Sequence, residues 1–169
     1  MPICRNDVVT SAGESLPKRA EELIPHSGPM CVIDDLTAVG ERTAEAVVTV
    51  REDSPFLRRD GTMEESVFVE MIAQTIAAGS GFEVSAGDRE SQSGYLLGIR
   101  EMKIMGCARA GDTLKIQAFK YAEYGAFGVI QGSVLRGDEV LARGEIKVIQ
   151  IFDNKSAAEM LPNPSVPGL

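Results

Sequence analysis

Residues 62–81, TMEESVFVEMIAQTIAAGSG, constrain the fold more than any other stretch. Val67, Phe68, Val69, Met71, Ile72, Ala73, Ile76, Ala77 and Ala78 put apolar groups on almost every side of a helix, which water tolerates only when other structure wraps it. Thr62 and Glu65 have the spacing of a capping box at its start, and Gly79 and Gly81 suit its end. One polar pair interrupts the apolar cylinder: Glu70 and Gln74, a turn apart, share a face. A carboxylate among apolar groups costs free energy unless it is paired, hydrogen-bonded or protonated. Glu70 therefore has either a structural partner, for which Arg100 is a candidate, or a task in proton transfer beside an apolar cavity.

The remainder of the chain must supply the wrapping. A short helix is expected over 18–24, stopped by Pro25, then a turn at Ser27, Gly28 and Pro29 and a strand over 30–39. Gly40 and Glu41 suit a hairpin into a strand over 43–50, in which Ala44, Ala46, Val48 and Val50 share one face. A polar loop over 51–61 leads into the helix, and a solvent loop over 85–93 leaves it. Four strand-like runs follow, over 95–105, 113–124, 127–135 and 140–151, joined by Ala110-Gly111-Asp112, Gly125 and a tight Gly137-Asp138 turn. In the last run Val140, Ala142, Gly144, Ile146 and Val148 face one way, with Leu141, Arg143, Glu145 and Lys147 facing the other. The class is α+β: a long central helix wrapped by a curved antiparallel sheet of about six strands.

At 169 residues the chain fits one domain, over 16–152, with flexible tails over 1–15 and 153–169, the second containing Pro162, Pro164 and Pro167. A net charge of −8 argues against a nucleic-acid partner. An apolar run of membrane-spanning length is not expected, nor a secretion signal in MPICRNDVVTSAGES, which points to the cytoplasm and away from a membrane. Three cysteines, Cys4, Cys31 and Cys107, imply no disulfide framework. The single histidine, His26, excludes a metal site built from several imidazoles of one chain. No metal and no cofactor are expected.

Three strings give a family resemblance: IPHSGPMCVIDDL, VFVEMIAQ and YLLGIREMKIMGCARAGDTLKI. From about Leu23 to Ile149 they resemble the hot-dog fold, specifically the β-hydroxyacyl carrier-protein dehydratases of fatty-acid synthesis. Those enzymes carry a His-Phe-Pro-Gly loop ahead of the helix; here that loop reads DSPFLRRDG and has no histidine. The chain is thus similar to a divergent, dehydratase-like branch found near aryl-polyene pathways, with a Pro-His-x-Gly-x-Met opening and without that loop. The resemblance implies Glu70 as the catalytic acid, Gln74 as the amide beside it, a thioester substrate on acyl carrier protein or coenzyme A, and a homodimer or higher homo-oligomer joined sheet edge to sheet edge.

Dehydrating a 3-hydroxyacyl thioester to a 2-enoyl thioester needs a group to take the α-proton, one to protonate the leaving hydroxyl, and donors at the thioester oxygen. Glu70 and His26 are the catalytic candidates, the alternative for His26 being a turn-capping role. Gln74, Gly98 and a backbone N–H near the helix start are candidate donors. Phe56, Val67, Met71, Tyr95, Leu97 and Met102 are candidates to line the acyl site, or are plain core. Arg58, Arg59, Arg100, Lys103 and Arg109 either dock a carrier protein or are scattered solvated charge. Two other functions stay open: a hot-dog acyl thioesterase in which Glu70 activates water, and a non-catalytic acyl-binding or partner subunit.

Overall fold

The computed structural model describes residues 15–87 and 92–152. Residues 1–14 of the tail expected over 1–15, the tail expected over 153–169, and the centre of the loop expected over 85–93 lie outside these residues.

One helix, α1 (Val67–Ser85), packs against a seven-stranded, wholly antiparallel sheet. The strands are β1 (Lys18–Arg19), β2 (Asp35–Gly40), β3 (Thr43–Thr49), β4 (Gln92–Ile104), β5 (Thr113–Tyr124), β6 (Phe127–Arg136) and β7 (Glu139–Phe152), in the order β1-β2-β3-β5-β6-β7-β4. Phe68, Met71, Ile72 and Phe82 of α1 meet Leu36, Leu114, Ile116, Ile130 and Ile146 in a single buried cluster. The wrapped-helix architecture is the one expected, with one strand more than about six. That strand is β1, where a helix was expected: Ala20 N–H donates to the Asp34 carbonyl at 2.9 Å, tying the segment to its neighbour and leaving room only for a single 3-10 turn, Ala20–Glu22.

The start of the helix differs from the capping-box expectation. Thr62 and Met63 form bridges to Arg109 and Leu57, and Met63 N–H donates to the Ala108 carbonyl at 2.8 Å. Their backbone is held extended by distant chain, so α1 begins only at Val67. Thr62 instead bonds Asp60 through both its hydroxyl and its N–H. The end also lies further on. Gly79 and Gly81 do not stop the helix; they let it approach its neighbours, since a Cβ at Gly79 would stand 2.9 Å from Ala44 Cβ and one at Gly81 would fall on the Leu23 carbonyl.

By length and composition α1 could cross a membrane, contrary to expectation, with 19 residues and mean hydropathy 1.2. Its burial against the sheet accounts for that apolarity. The sheet leaves one stripe of it half-covered: Glu70, Ala73, Ala77 and Ser80.

The strand expected over 30–39 starts only at Asp35, because Gln74 of α1, rather than a neighbouring strand, engages the backbone of Met30 and Val32. Leu141, expected to face outward, is fully buried. It falls where the β6–β7 register slips, between the Val134–Ala142 and Leu135–Val140 pairs, and such an irregularity re-aims a side chain.

Candidate functional site

Glu70 lies in the first turn of α1, where the positive end of the helix dipole favours a carboxylate. Its side chain is 35% exposed, so it stands at the rim of the core rather than lodged within it. Arg100, the candidate structural partner, engages Glu145 at 3.0 Å instead.

Gln74 is buried beside it and makes a three-way bracket. Its Nε2 donates to Glu70 Oε1 and to the Met30 carbonyl, each at 2.8 Å, while its Oε1 accepts from Val32 N–H at 2.9 Å. Both amide hydrogens are thereby used within the chain, leaving none for a thioester oxygen. The bracket holds segment 30–32 against the helix and fixes one oxygen of Glu70. The other, Oε2, has no partner among the described residues.

His26 arrives on the same side of α1, its Nε2 3.7 Å from Glu70 Oε1. Its Nδ1 is buried and has no hydrogen-bond partner. A buried N–H without an acceptor is the costlier orphan, and an Nε2 lone pair would face a carboxylate oxygen. On a neutral ring the proton therefore belongs on Nε2, the nitrogen nearer Glu70, at a separation longer than a hydrogen bond.

The other candidates are not gathered around this pair. The first amides of α1, at Val67, Phe68 and Val69, donate to the carbonyls of Glu64, Glu65 and Ser66, so these three are engaged within the turn that starts the helix. Gly98, Tyr95 and Leu97 are on β4, at the opposite edge of the sheet from β1 and β2. Tyr95 and Leu97 are exposed, and the space off Gly98 Cα is open. Val67 is core, and Met102 is half-buried on β4. Phe56 and Met71 line a cavity of about 390 Å³ together with Cys31, Val32, Val48, Val50 and Met63. Nothing in the sequence separates those last five from ordinary core. The Gln74 bracket was equally hidden, because its partners at residues 30 and 32 are backbone atoms.

The five basic candidates form two groups. Arg58, Arg59 and Arg109 sit around the bridges at residues 57–63, with Arg58 held by Glu64 at 2.9 Å and Arg109 donating to the Asp60 carbonyl at 3.3 Å. The Arg58 hydrogen bond holds Glu64 below the usual carboxylate range. Arg100 and Lys103 are on β4, paired with Glu145 and Glu101. A larger concavity of about 480 Å³ lies among residues that include Glu45, Gln117, Gln131, Arg143 and Glu145, where polar groups pair with each other: Gln117 with Glu45 at 2.6 Å and Gln131 with Glu145 at 2.8 Å. Among the described residues, no group of three or more His, Cys, Asp or Glu side chains is placed to hold a metal ion.

Comparison with known proteins gives one consistent answer. The ApeP-like family description, ApeP dehydratase, matches residues 18–160. The 3-hydroxyacyl-(acyl-carrier-protein) dehydratase FabZ of Acetivibrio thermocellus is 31% identical over 144 residues, 81% of this chain and 95% of that protein. Among solved structures, the dehydratase heterocomplex ApeI:P from Xenorhabdus doucetiae superposes with a TM-score of 0.73 at 28% identity, covering 82% of this chain and 93% of its own. A probable thioesterase from Bartonella henselae shares the fold alone, with a TM-score of 0.53 at 13% identity over 69% of this chain and 96% of its own.

Proposed function

The chain belongs to the ApeP-like dehydratase family, and on that premise we propose that it eliminates water from a 3-hydroxyacyl thioester to give a 2-enoyl thioester. The observation that carries this reading is a carboxylate with one oxygen bracketed and the other open, facing the only histidine of the chain. Glu70 Oε2 takes the proton from C2 of the substrate and passes it to the C3 hydroxyl. The C2–H and C3–O bonds break, the C2=C3 bond forms, water leaves and Glu70 returns to the carboxylate. His26 Nε2–H steadies Oε1 through both transfers. A single carboxylate doing both suits a chain whose loop over 51–61 has no histidine.

The carrier is acyl carrier protein or coenzyme A, and the reaction is placed in the cytoplasm, without a cofactor. Arg59, with Arg58 and Arg109 beside it, is the proposed docking surface. The partner is a second hot-dog chain joined along β4. On that edge strand Leu96 and Ile99 pair with Val148 and the fully buried Ile146, so they point to the helix side of the sheet, yet both stay exposed. A second copy of this chain would cover them in a homodimer; a different hot-dog chain would do so in a heterocomplex.

The test follows enoyl formation and free-thiol release side by side on 3-hydroxybutyryl and 3-hydroxyoctanoyl thioesters. Enoyl product that disappears in Glu70→Gln is expected. Thiol release without enoyl product would replace the dehydratase by the thioesterase reading, which the single helix carboxylate also permits. Neither activity, with co-purification of another hot-dog chain, would leave the partner-subunit reading.

A further inference from the structure

The segment that carries His26 is tied down on both sides and barely held between. Upstream, Ala20 is fully buried; its N–H donates to the Asp34 carbonyl at 2.9 Å, and its carbonyl accepts from the N–H groups of Leu23 and Ile24 at 2.9 and 3.0 Å. Downstream, Met30 and Cys31 N–H donate to the Ser27 and Gly28 carbonyls, closing a 3-10 turn over Gly28–Met30, and Gln74 pins Met30 and Val32 to α1. Among the described residues, no backbone–backbone hydrogen bond engages Pro25 or His26. One side chain spans the gap. Glu21 Oε1 accepts from Gly28 N–H at 2.8 Å, closing a ring over residues 21–28 that contains His26. Glu21 stands in the short turn that Ala20 anchors, so its carboxylate joins one fixed turn to another across the histidine.

We propose that Glu21 is a positioning residue: its bond to Gly28 holds the turn so that the His26 imidazole stays beside Glu70, and it acts on the reaction only through that ring. The catalytic role rests on the dehydratase reading of the site; the placement of the ring does not. The plan mirrors that of Gln74. A buried amide fixes the acid, and an exposed carboxylate fixes the ring. Because Glu21 is exposed, removing it leaves no polar group stranded in the core, whereas a small displacement of a group at a reacting centre costs rate out of proportion to stability.

The test uses the full chain, whose single histidine makes every imidazole resonance a report on His26. Glu21→Ala is expected to shift or broaden the imidazole signals in nitrogen NMR, to lower kcat for enoyl formation by about three- to tenfold, and to leave KM within about twofold. Glu21→Gln keeps an acceptor oxygen at the same reach and should match the wild type in all three. Glu21→Asp keeps the charge but falls a methylene short of Gly28; it should behave as Glu21→Ala does, and it carries the test if Glu21→Ala does not fold by circular dichroism. In a His26→Gln background Glu21→Ala should add no loss beyond about twofold, because residues that act through one contact are not additive. Unaltered imidazole signals in the folded Glu21→Ala protein overturn the proposal. So does a full additional loss in the double variant, or a Glu21→Asp protein that matches the wild type while Glu21→Gln does not, since charge rather than the bond would then be at work. Altered signals with unchanged kcat remove Glu21 from the reaction and overturn its catalytic role. Altered signals in a chain whose wild type forms no enoyl product keep the placement of the ring and reject the dehydratase reading.

Discussion

Two clusters of polar groups in this protein are built on opposite plans. Around Asp112 the members are heavily paired: its Oδ2 accepts from Arg109 N–H at 2.9 Å and from Arg136 Nη1 at 2.8 Å, and Arg136 Nη2 donates to Glu139 at 2.7 Å. Arg136 Nη1 reaches the Cys107 carbonyl as well, at 3.3 Å, so one guanidinium ties the end of β6 to the two turns beside it. Around Glu70 the groups are only half satisfied: one oxygen is bracketed, the other is open, and the histidine ring nearby has an unpartnered nitrogen. Full pairing holds turns together. Partial pairing leaves an atom whose hydrogen-bonding capacity a substrate can use, which is what sets the proposed reactive acid apart from a structural one.

That contrast can be broken in four places. The largest effect is expected from Glu70→Gln, which keeps shape and removes the proton acceptor: enoyl formation should fall by about 10²–10⁴-fold with little change in melting temperature. A folded variant with near wild-type turnover would end the distinction between the two clusters. Gln74→Leu comes next, because it strips partners from the buried Val32 N–H and from the less buried Met30 carbonyl. A loss of about 1–3 kcal/mol per orphaned group is expected in denaturant unfolding, with turnover falling alongside it. His26→Gln should lower turnover by about tenfold and leave stability nearly unchanged, since in the proposed mechanism the histidine steadies Oε1 without moving a proton of the substrate.

The smallest expected effect is in the paired cluster and concerns acid. Burial alone would raise the Asp112 carboxyl, but the Arg109 N–H and the Arg136 guanidinium outweigh it and hold it below its ordinary value. A carboxyl depressed in the folded state contributes stability above its unfolded value, near 3.9, and that contribution disappears as pH falls through the folded value. Arg136→Met should therefore shift the acid-unfolding midpoint upward by a fraction of a pH unit, read by circular dichroism, with turnover at neutral pH untouched. A change in turnover would couple two clusters described here as independent.

Local pattern made much of this legible in advance. Alternation placed β5 at residues 113–124, where the structure has it, and Gly137-Asp138 marked the hairpin between β6 and β7. Helical spacing put Glu70 and Gln74 on one face, and the sequence has only one histidine to set beside them. Failures came where distant chain decides. Thr62 and Glu65 spell a capping box, yet bridges to Arg109 and Leu57 pull that stretch straight. Residues 30–34 look like strand, but the side chain of Gln74 replaces a ladder partner. The basic residues, read either as a docking patch or as scattered charge, lie in two groups; the pairing of Arg100 with Glu145 depends on strand register, which a linear string does not display.

The glycine at position 81 has a reach its location hides. It lies eleven residues beyond Glu70, about 16 Å along the axis, and far from any chemistry. Yet its bare Cα is what allows the Leu23 carbonyl to rest on the helix, and Leu23 stands three positions before His26. A single methyl there would act as a shim, lifting the whole leading arm and with it the imidazole. The spacing between acid and ring is thereby tied to the far end of the rod, so an alanine at a residue that touches neither would disturb the proposed reacting pair.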